Sequence, residues 1–412
     1  MSDQPQKESH GPLTGMRVLE LGHFVAAPFG ARLLADLGAE VIKVEAPGGD
    51  PVRQWGRQVE GAGAPWTSMH QRNKRSIVLN LKDPRAVDIV LKLVSTCDAV
   101  IENFRPGQLA KMGLGREAME KARPGIVIAR ISGYGQDGLY RDRAAFGVIG
   151  EAIGGLRYLT NHPPAITDLP PSRVGISIGD SIAGLYAAFG IVAGLWARDR
   201  RQGGDGRGRD VDVALTESVL SMMEGMLPEY GVFGSVREPQ GARIATASPS
   251  SAYPTRDGKW ILIAGNSNPI FARLAGLMGK PELATDPRFM GNAARVANVE
   301  ALDALIGDWS AQHDAAALDT LLAEADVPST IAYTAAEIAA DPQFRARGMV
   351  QEVEDPAFGK VLHAGVVPRV TDDPGTIRWA GPAAGAHTDD ILSSCGFEPD
   401  TIAGLRSEGV VA

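Results

Sequence analysis

The stretch from Met16 to Glu45 constrains the fold more than any other. Met16-Arg-Val-Leu-Glu-Leu21 has the aliphatic content of a strand and stops at Gly22. Pro28 to Leu37 carries apolar residues at helical spacing, and Ala39-Glu-Val-Ile-Lys-Val-Glu45 reads as a second strand. Strand, helix and strand within about thirty residues make a βαβ unit, which implies parallel pairing and a sheet covered by helices.

The alternation continues. Ser76 to Leu81 is a strand or turn entry, Pro84 to Cys97 is helical and Ala99 to Glu102 is a short strand. Gln108 to Lys121 predicts a helix and Gly125 to Ile131 a strand. Such a series argues for an α/β sheet with helices on both faces. After the strand Asp210 to Leu215 and a helix from Glu217 to Met226 the texture changes. A polar segment, Ser235 to Ser251, leads into a hairpin, Tyr253 to Ala264, with Asp257-Gly258 at its turn. Helices around 269–279, 298–313 and 315–325 complete a smaller α+β domain. At 412 residues the chain exceeds one ordinary domain. The expected division is a large domain over 1–225, a small one over 226–335 and a return to the large domain over 336–412.

Composition narrows the function. Apolar residues are 44% and charged residues 22%, and the net charge of -8 gives no general attraction to nucleic acid or to an anionic membrane surface. Neither is an expected partner. Two cysteines, Cys97 and Cys395, make no disulfide framework, and Cys97 reads as core. Residues 1–14 are polar, have no apolar signal core and are expected to be a disordered tail. The longest apolar run, Ser181 to Trp196, is short and rich in Gly and Ala, and reads as a buried core helix. A cytoplasmic protein is expected.

Several motifs compete for the chemistry. Gly133-Tyr-Gly-Gln-Asp-Gly138 matches a dinucleotide fingerprint, yet Arg141-Asp-Arg143 fits no helix opening there, so a glycine turn is favoured. Glu45 ends the second strand, but the first βα turn, Gly22 to Gly30, lacks the close glycines that a pyrophosphate needs. No Walker A sequence occurs. Gly175-Ile-Ser-Ile-Gly179 matches a nucleophile elbow, with Asp286 and His363 or His387 as distant partners; Asp and His are common residues, so they lend this hydrolase reading little support. The seven histidines are scattered without paired helical spacing, and no metal site is expected. His23 stands at the mouth of the first strand as a site-lining residue or a loop histidine bonded to backbone. Asp180 falls between a strand-like Val174–Ile178 and an apolar helix expected to begin at Ser181. There an Asp serves as an N-cap, and the helix dipole keeps it ionised. Taken alone, this physics favours the cap.

The order of larger blocks says more. Gly15-Met-Arg-Val-Leu-Glu-Leu21 is followed by Leu37-Gly-Ala-Glu-Val-Ile-Lys-Val-Glu45 with Gly49-Asp50-Pro51, and then by Asn73-Lys-Arg-Ser-Ile-Val-Leu-Asn-Leu-Lys82. Glu102-Asn-Phe-Arg-Pro-Gly107, Ile131 to Gly138, Gly179-Asp180 and Arg207-Gly-Arg-Asp-Val-Asp212 complete the series. From Gly15 to about Pro382 the sequence resembles the family III CoA-transferases, the CaiB–BaiF group. The resemblance implies a large Rossmann-like α/β domain with a parallel sheet, a smaller α+β domain and an interlocked homodimer. It implies Asp180 as a nucleophile that forms an aspartyl anhydride and then an aspartyl-CoA thioester. It also implies coenzyme A as a co-substrate and no permanently bound cofactor.

Family positions for CoA contacts transfer to Leu79, Lys82, Asn103, Phe104 and Lys111. The lysines suit phosphates and Phe104 offers a ring face. Lys111 stands where relatives often have Arg, and Ala46 where some have a basic residue. His23, Phe24, Val25 and Arg173 are candidate substrate contacts, Arg173 as a partner for a distal carboxylate. The surroundings of Arg157 and Arg173–Asp180 look closest to members acting on short dicarboxylic acids with succinyl-CoA as donor. Two alternatives remain. One is an α-methylacyl-CoA racemase, disfavoured because Tyr140–Val148 lacks the second-base histidine. The other is a non-catalytic acyl-CoA binding protein.

Overall fold

The computed structural model describes residues 10–200 and 203–412. The chain forms two compact units. The first takes the chain through Leu156, then Val174–Glu224 and Asp341–Ala412; the second takes Arg157–Arg173 and Gly225–Ala340. The sequence-based division had kept 157–173 in the large domain.

The first unit is built on six strands: β1 (Arg17–Leu21), β2 (Glu40–Glu45), β3 (Lys74–Val78), β4 (Ala99–Glu102), β5 (Val127–Ser132) and β6 (Asp210–Ala214). Their order is β3-β2-β1-β4-β5-β6 and every pairing is parallel. This is a mixed α/β, Rossmann-like layout, with a topological switch between β1 and β4.

Side chains alternate between the two faces, as strand geometry requires. Val18, Val41, Ile101 and Val127 pack beneath the helices Ala26–Asp36 and Ile178–Arg200. Leu19, Ile42, Val100 and Ile128 face the opposite layer, where Pro84–Val94, Arg116–Ala122, Thr388–Ser394 and Pro399–Ser407 lie. The C-terminus returns to the sheet region, with Val411 bridging Leu79. Cys97 is fully buried, and burial pushes its thiol up to about 12, which fits a core role.

The second unit holds an antiparallel sheet of β7 (Ser250–Pro254), β8 (Trp260–Ala264) and β9 (Ser329–Ile331). Gly258 makes the hairpin turn at φ +74°. Phe271, Phe289, Leu302 and Leu318 fill its core. A hairpin of β10 (Val350–Asp355) and β11 (Gly359–Ala364) belongs to the first unit.

Four local expectations change. The helix expected over Gln108–Lys121 is two, Gln108–Lys111 and Arg116–Ala122, because Gly113 takes φ +87° and buries Leu114 between them. In place of one helix from Glu217 to Met226 there are Leu215–Leu220 and Met226–Phe233. Residues 1–9 of the expected tail lie outside the described residues, but residues 12–14 lie in a turn tied to the fold, with the Leu13 N–H bonded to the Leu37 carbonyl at 2.9 Å. The fourth concerns the expected strand Val174–Ile178: residues 174–177 are irregular and the helix starts at Ile178. That removes the strand required by the nucleophile-elbow reading.

Candidate active site

Loops leaving the C-terminal ends of β1 and β4 meet at the topological switch. Gly22 opens the first loop, and a β-carbon there would lie 2.4 Å from Ala27 Cβ, so only glycine fits. His23 follows, clamped by Asn103: the His23 N–H donates to Asn103 Oδ1 and Asn103 Nδ2 donates to the His23 carbonyl, both at 2.9 Å. The side chain expected to touch CoA therefore also fixes the loop expected to touch substrate. Phe24 adopts φ +61°, and Val25, buried, begins the Ala26–Asp36 helix.

Asp180 is the third residue of the Ile178–Arg200 helix, so it is not the expected N-cap. Its half-buried carboxylate stays within the first turn, where the helix dipole favours negative charge. The space in front of it exists because residue 147 is glycine: a β-carbon there would sit 2.1 Å from Asp180 Oδ2 and 2.6 Å from Cγ. Gly179 is equally confined, its absent β-carbon lying 2.8 Å from the Gly147 carbonyl. One turn on, Gly184 and Gly30 let the two helices of that face touch backbone to backbone.

A run of rings joins these parts. Phe104 meets His23 edge-on at 5.4 Å, His23 lies 5.2 Å from Phe24, and Phe24 meets Phe146 edge-on at 6.0 Å. Phe146 immediately precedes Gly147. Asn103, Phe104, His23, Phe24 and Asp180, chosen from three separate stretches of sequence, thus belong to one continuous patch. Trp55, 5.2 Å from Phe24 and stacked on Trp66, extends it. Phe146 is 64% and Trp55 40% exposed, which leaves ring surface for a ligand. Sequence reading missed Trp55, Phe146 and Gly147 as site residues. The last two stood in plain view in Ala144-Ala-Phe-Gly147, but their pairing with Asp180 has no local signature.

The other candidates scatter. Lys82 and Lys111 are exposed, Lys82 just before the Pro84–Val94 helix and Lys111 at the end of Gln108–Lys111. Leu79 is a correction: it is buried whole, backbone included, and its N–H donates to the Glu45 carbonyl at 2.9 Å. The Val25 side chain is buried as well. Arg173 is exposed, in an irregular stretch grouped with the second unit.

Glu102, at the end of β4, is 5% exposed and accepts the Phe104 N–H at 2.7 Å. Burial pushes its carboxyl up to about 7, against the pull of that hydrogen bond and of Arg130. Burial also lowers His23, with Asp50 opposing, so a neutral ring faces the site. Among the described residues no three His, Cys, Asp or Glu side chains converge as a metal site.

The model of CoA-transferase family III matches residues 13–388. The chain is 46% identical to the succinyl-CoA–D-citramalate CoA-transferase of Chloroflexus aurantiacus, covering 97% of this chain and 98% of that protein. It is 36% identical to the β subunit of that organism's succinyl-CoA–L-malate CoA-transferase, with the same coverage. The crystal structure of a CaiB/BaiF family protein from Brucella suis superposes with a TM-score of 0.81 at 33% identity, covering 94% of this chain and all of that one. The chain belongs to CoA-transferase family III and is a CoA-transferase, with CoA thioesters as its co-substrates.

Proposed function

We propose that Asp180 is the nucleophile of a CoA exchange in which succinyl-CoA is the donor and a short dicarboxylic acid, with or without a 2-hydroxyl, is the acceptor. The observation that carries this reading is the seating of the Asp180 carboxylate in the glycine-cleared space beside Gly147, at the end of the ring patch that begins at Asn103 and Phe104. A carboxylate oxygen attacks the thioester carbonyl, the C–S bond breaks, and an acyl-aspartyl anhydride and CoA thiolate result. The thiolate then attacks the aspartyl carbonyl, expels the donor acid as its carboxylate and leaves an aspartyl-CoA thioester. The acceptor carboxylate reverses both steps. One negative charge is carried through each step, so no proton transfer is required, and covalent catalysis divides the exchange into easier parts.

Asn103 and Phe104, with exposed Lys82 and Lys111, supply the CoA contacts; lysines act as point charges for phosphates. The acceptor class rests on the citramalate and malate transferases, which are similar across nearly their full length. The test is mass spectrometry of acyl-CoA products after mixing the protein with succinyl-CoA and a panel of mono- and dicarboxylic acids. Citramalyl-CoA or malyl-CoA formed in preference to the monocarboxylate products supports the reading. Equal transfer to monocarboxylates overturns the acceptor class.

We also propose a homodimer. Leu185, Phe189, Val192 and Trp196 lie along one side of the Ile178–Arg200 helix, with Phe189 at 69% and Trp196 at 67% exposure. The helix is long and apolar enough to cross a membrane by length and composition, but its Gly/Ala side is spent on the sheet. The outer side is a contiguous apolar stripe of the kind that partners cover.

A further inference from the structure

The loop between β1 and the Ala26–Asp36 helix has no regular structure, yet side chains from neighbouring elements hold its backbone at nearly every step. Lys43 Nζ donates to the Gly22 carbonyl at 3.0 Å. Asn103 bonds both backbone polar groups of His23. The Phe24 N–H donates to Asp50 Oδ1 at 3.0 Å, and His70 Nε2 meets the Phe24 carbonyl at 2.9 Å. Just beyond the loop, in the first turn of the helix, Lys74 Nζ donates to the Pro28 carbonyl at 2.8 Å. These side chains come from β2, from the turn after it, from the Trp66–His70 helix, from β3 and from the end of β4.

Behind the loop the same groups form one buried charge cluster. Lys43 lies between Glu20 at 2.6 Å and Asp50 at 2.8 Å, and Lys74 reaches the second oxygen of Glu20 at 2.8 Å. The two lysines and two carboxylates balance. Burial opposes the Lys43 charge, and Glu20 and Asp50 more than restore it. Burial, reinforced by the charge of Lys74, lowers His70 to about 3, so its ring is neutral and donates Nε2–H to Phe24. Burying four charges to hold one turn is poor economy for stability alone, because well-packed apolar residues serve as well. What the cluster gains is a fixed geometry. Phe24, a bulky residue in the left-handed region, is the strained point of the loop, and such outliers concentrate at functional sites. Its ring links His23 to Phe146, beside Asp180.

We propose that His70 and Asp50 are positioning residues for the transfer reaction: gripping Phe24 from its carbonyl and amide sides, they set the ring surface that orients the acyl-CoA thioester against Asp180. The inference rests on Asp180 as the nucleophile. Neither residue touches the reacting atoms, so loss of either lowers turnover more than it weakens acyl-CoA binding.

The test is His70→Leu, which keeps bulk and removes the donor, beside His70→Gln, which keeps an N–H donor. Three readouts are taken: kcat and KM with succinyl-CoA, thermal unfolding, and amide hydrogen exchange over residues 22–28 by mass spectrometry. The expected result for His70→Leu is faster exchange in that segment and kcat lower by at least about tenfold, with KM changed less than about threefold. His70→Gln recovers most of both. If His70→Leu does not fold, His70→Ala assayed with and without added imidazole replaces it, and rescue of kcat by imidazole is expected. Turnover within twofold of wild type in the donor-less variant, or loss of kcat that neither Gln nor imidazole repairs, overturns the positioning role. Asp180→Asn run alongside separates the two claims, since full turnover in that variant strikes at the nucleophile and not at His70.

Discussion

Gly147 faces Asp180 so closely that a β-carbon at 147 would lie 2.1 Å from the carboxylate oxygen. The pair sits where a helix of seven residues, Gly147–Ile153, meets the start of a helix of 23. Gly147→Ala therefore displaces the Asp180 carboxylate. Displacement by about an ångström costs on the order of 100-fold in a positioned reaction. The expected outcome is kcat lower by about that factor with KM for succinyl-CoA little changed, measured by steady-state exchange kinetics.

Asp180 itself separates chemistry from helix stabilisation. As a first-turn acid it contributes roughly 0.3–1 kcal/mol through the helix dipole. Asp180→Asn should unfold within a few degrees of wild type and yet have no measurable transfer. Intact-protein mass spectrometry after incubation with succinyl-CoA should reveal a CoA adduct on the wild type and none on the variant. An adduct on Asp180→Asn would assign the nucleophile elsewhere.

Glu102 gives a pH signature. Its folded-state pKa is raised from 4.5 to about 7 by burial, so the folded protein holds a proton that the unfolded chain releases in that interval. Stability from this group is present below the unfolded value and is lost as pH rises through the folded one. The effect is on the order of 3 kcal/mol. Glu102→Gln keeps an acceptor for the Phe104 N–H and should be more stable than wild type above pH 7, with the difference shrinking towards pH 4.5. Denaturant unfolding at several pH values measures this; a difference independent of pH would contradict the assignment.

Phe189→Glu tests the outer side of the long helix. A charge placed in an apolar interface core leaves a buried, unpaired group, so the variant should elute as a monomer while wild type elutes as a dimer. Light scattering coupled to size exclusion gives both masses. A dimeric variant would move the interface elsewhere.

Gly30→Ala probes the helix contact that brings Asp180 to the sheet edge. The new β-carbon would meet the Gly184 carbonyl at 2.5 Å. Separating the helices is overpacking, at a cost of about 1–3 kcal/mol. A lower midpoint in denaturant is expected, with turnover reduced in the variant even where it is fully folded.

The amino-acid sequence by itself determined the strand–helix alternation of the first unit, the hairpin at Asp257-Gly258 and the buried character of Cys97. Each depends on a local period, a turn dipeptide or an apolar setting, which a short window carries. Resemblance of ordered blocks added the family and the choice of Asp180, Asn103 and Phe104. Tertiary structure decided the rest. Whether Gln108–Lys121 ran through as one helix depended on burial of Leu114, which a helical period does not report. Tertiary packing also placed Leu79, expected as a CoA contact, wholly in the core. The grip of Asp50 and His70 on Phe24, and the fit of Asp180 against Gly147, join residues 26, 46 and 33 positions apart. Contacts of that range arise only when helices and loops from separate strands converge at one edge of the sheet, and no periodicity within a segment encodes them.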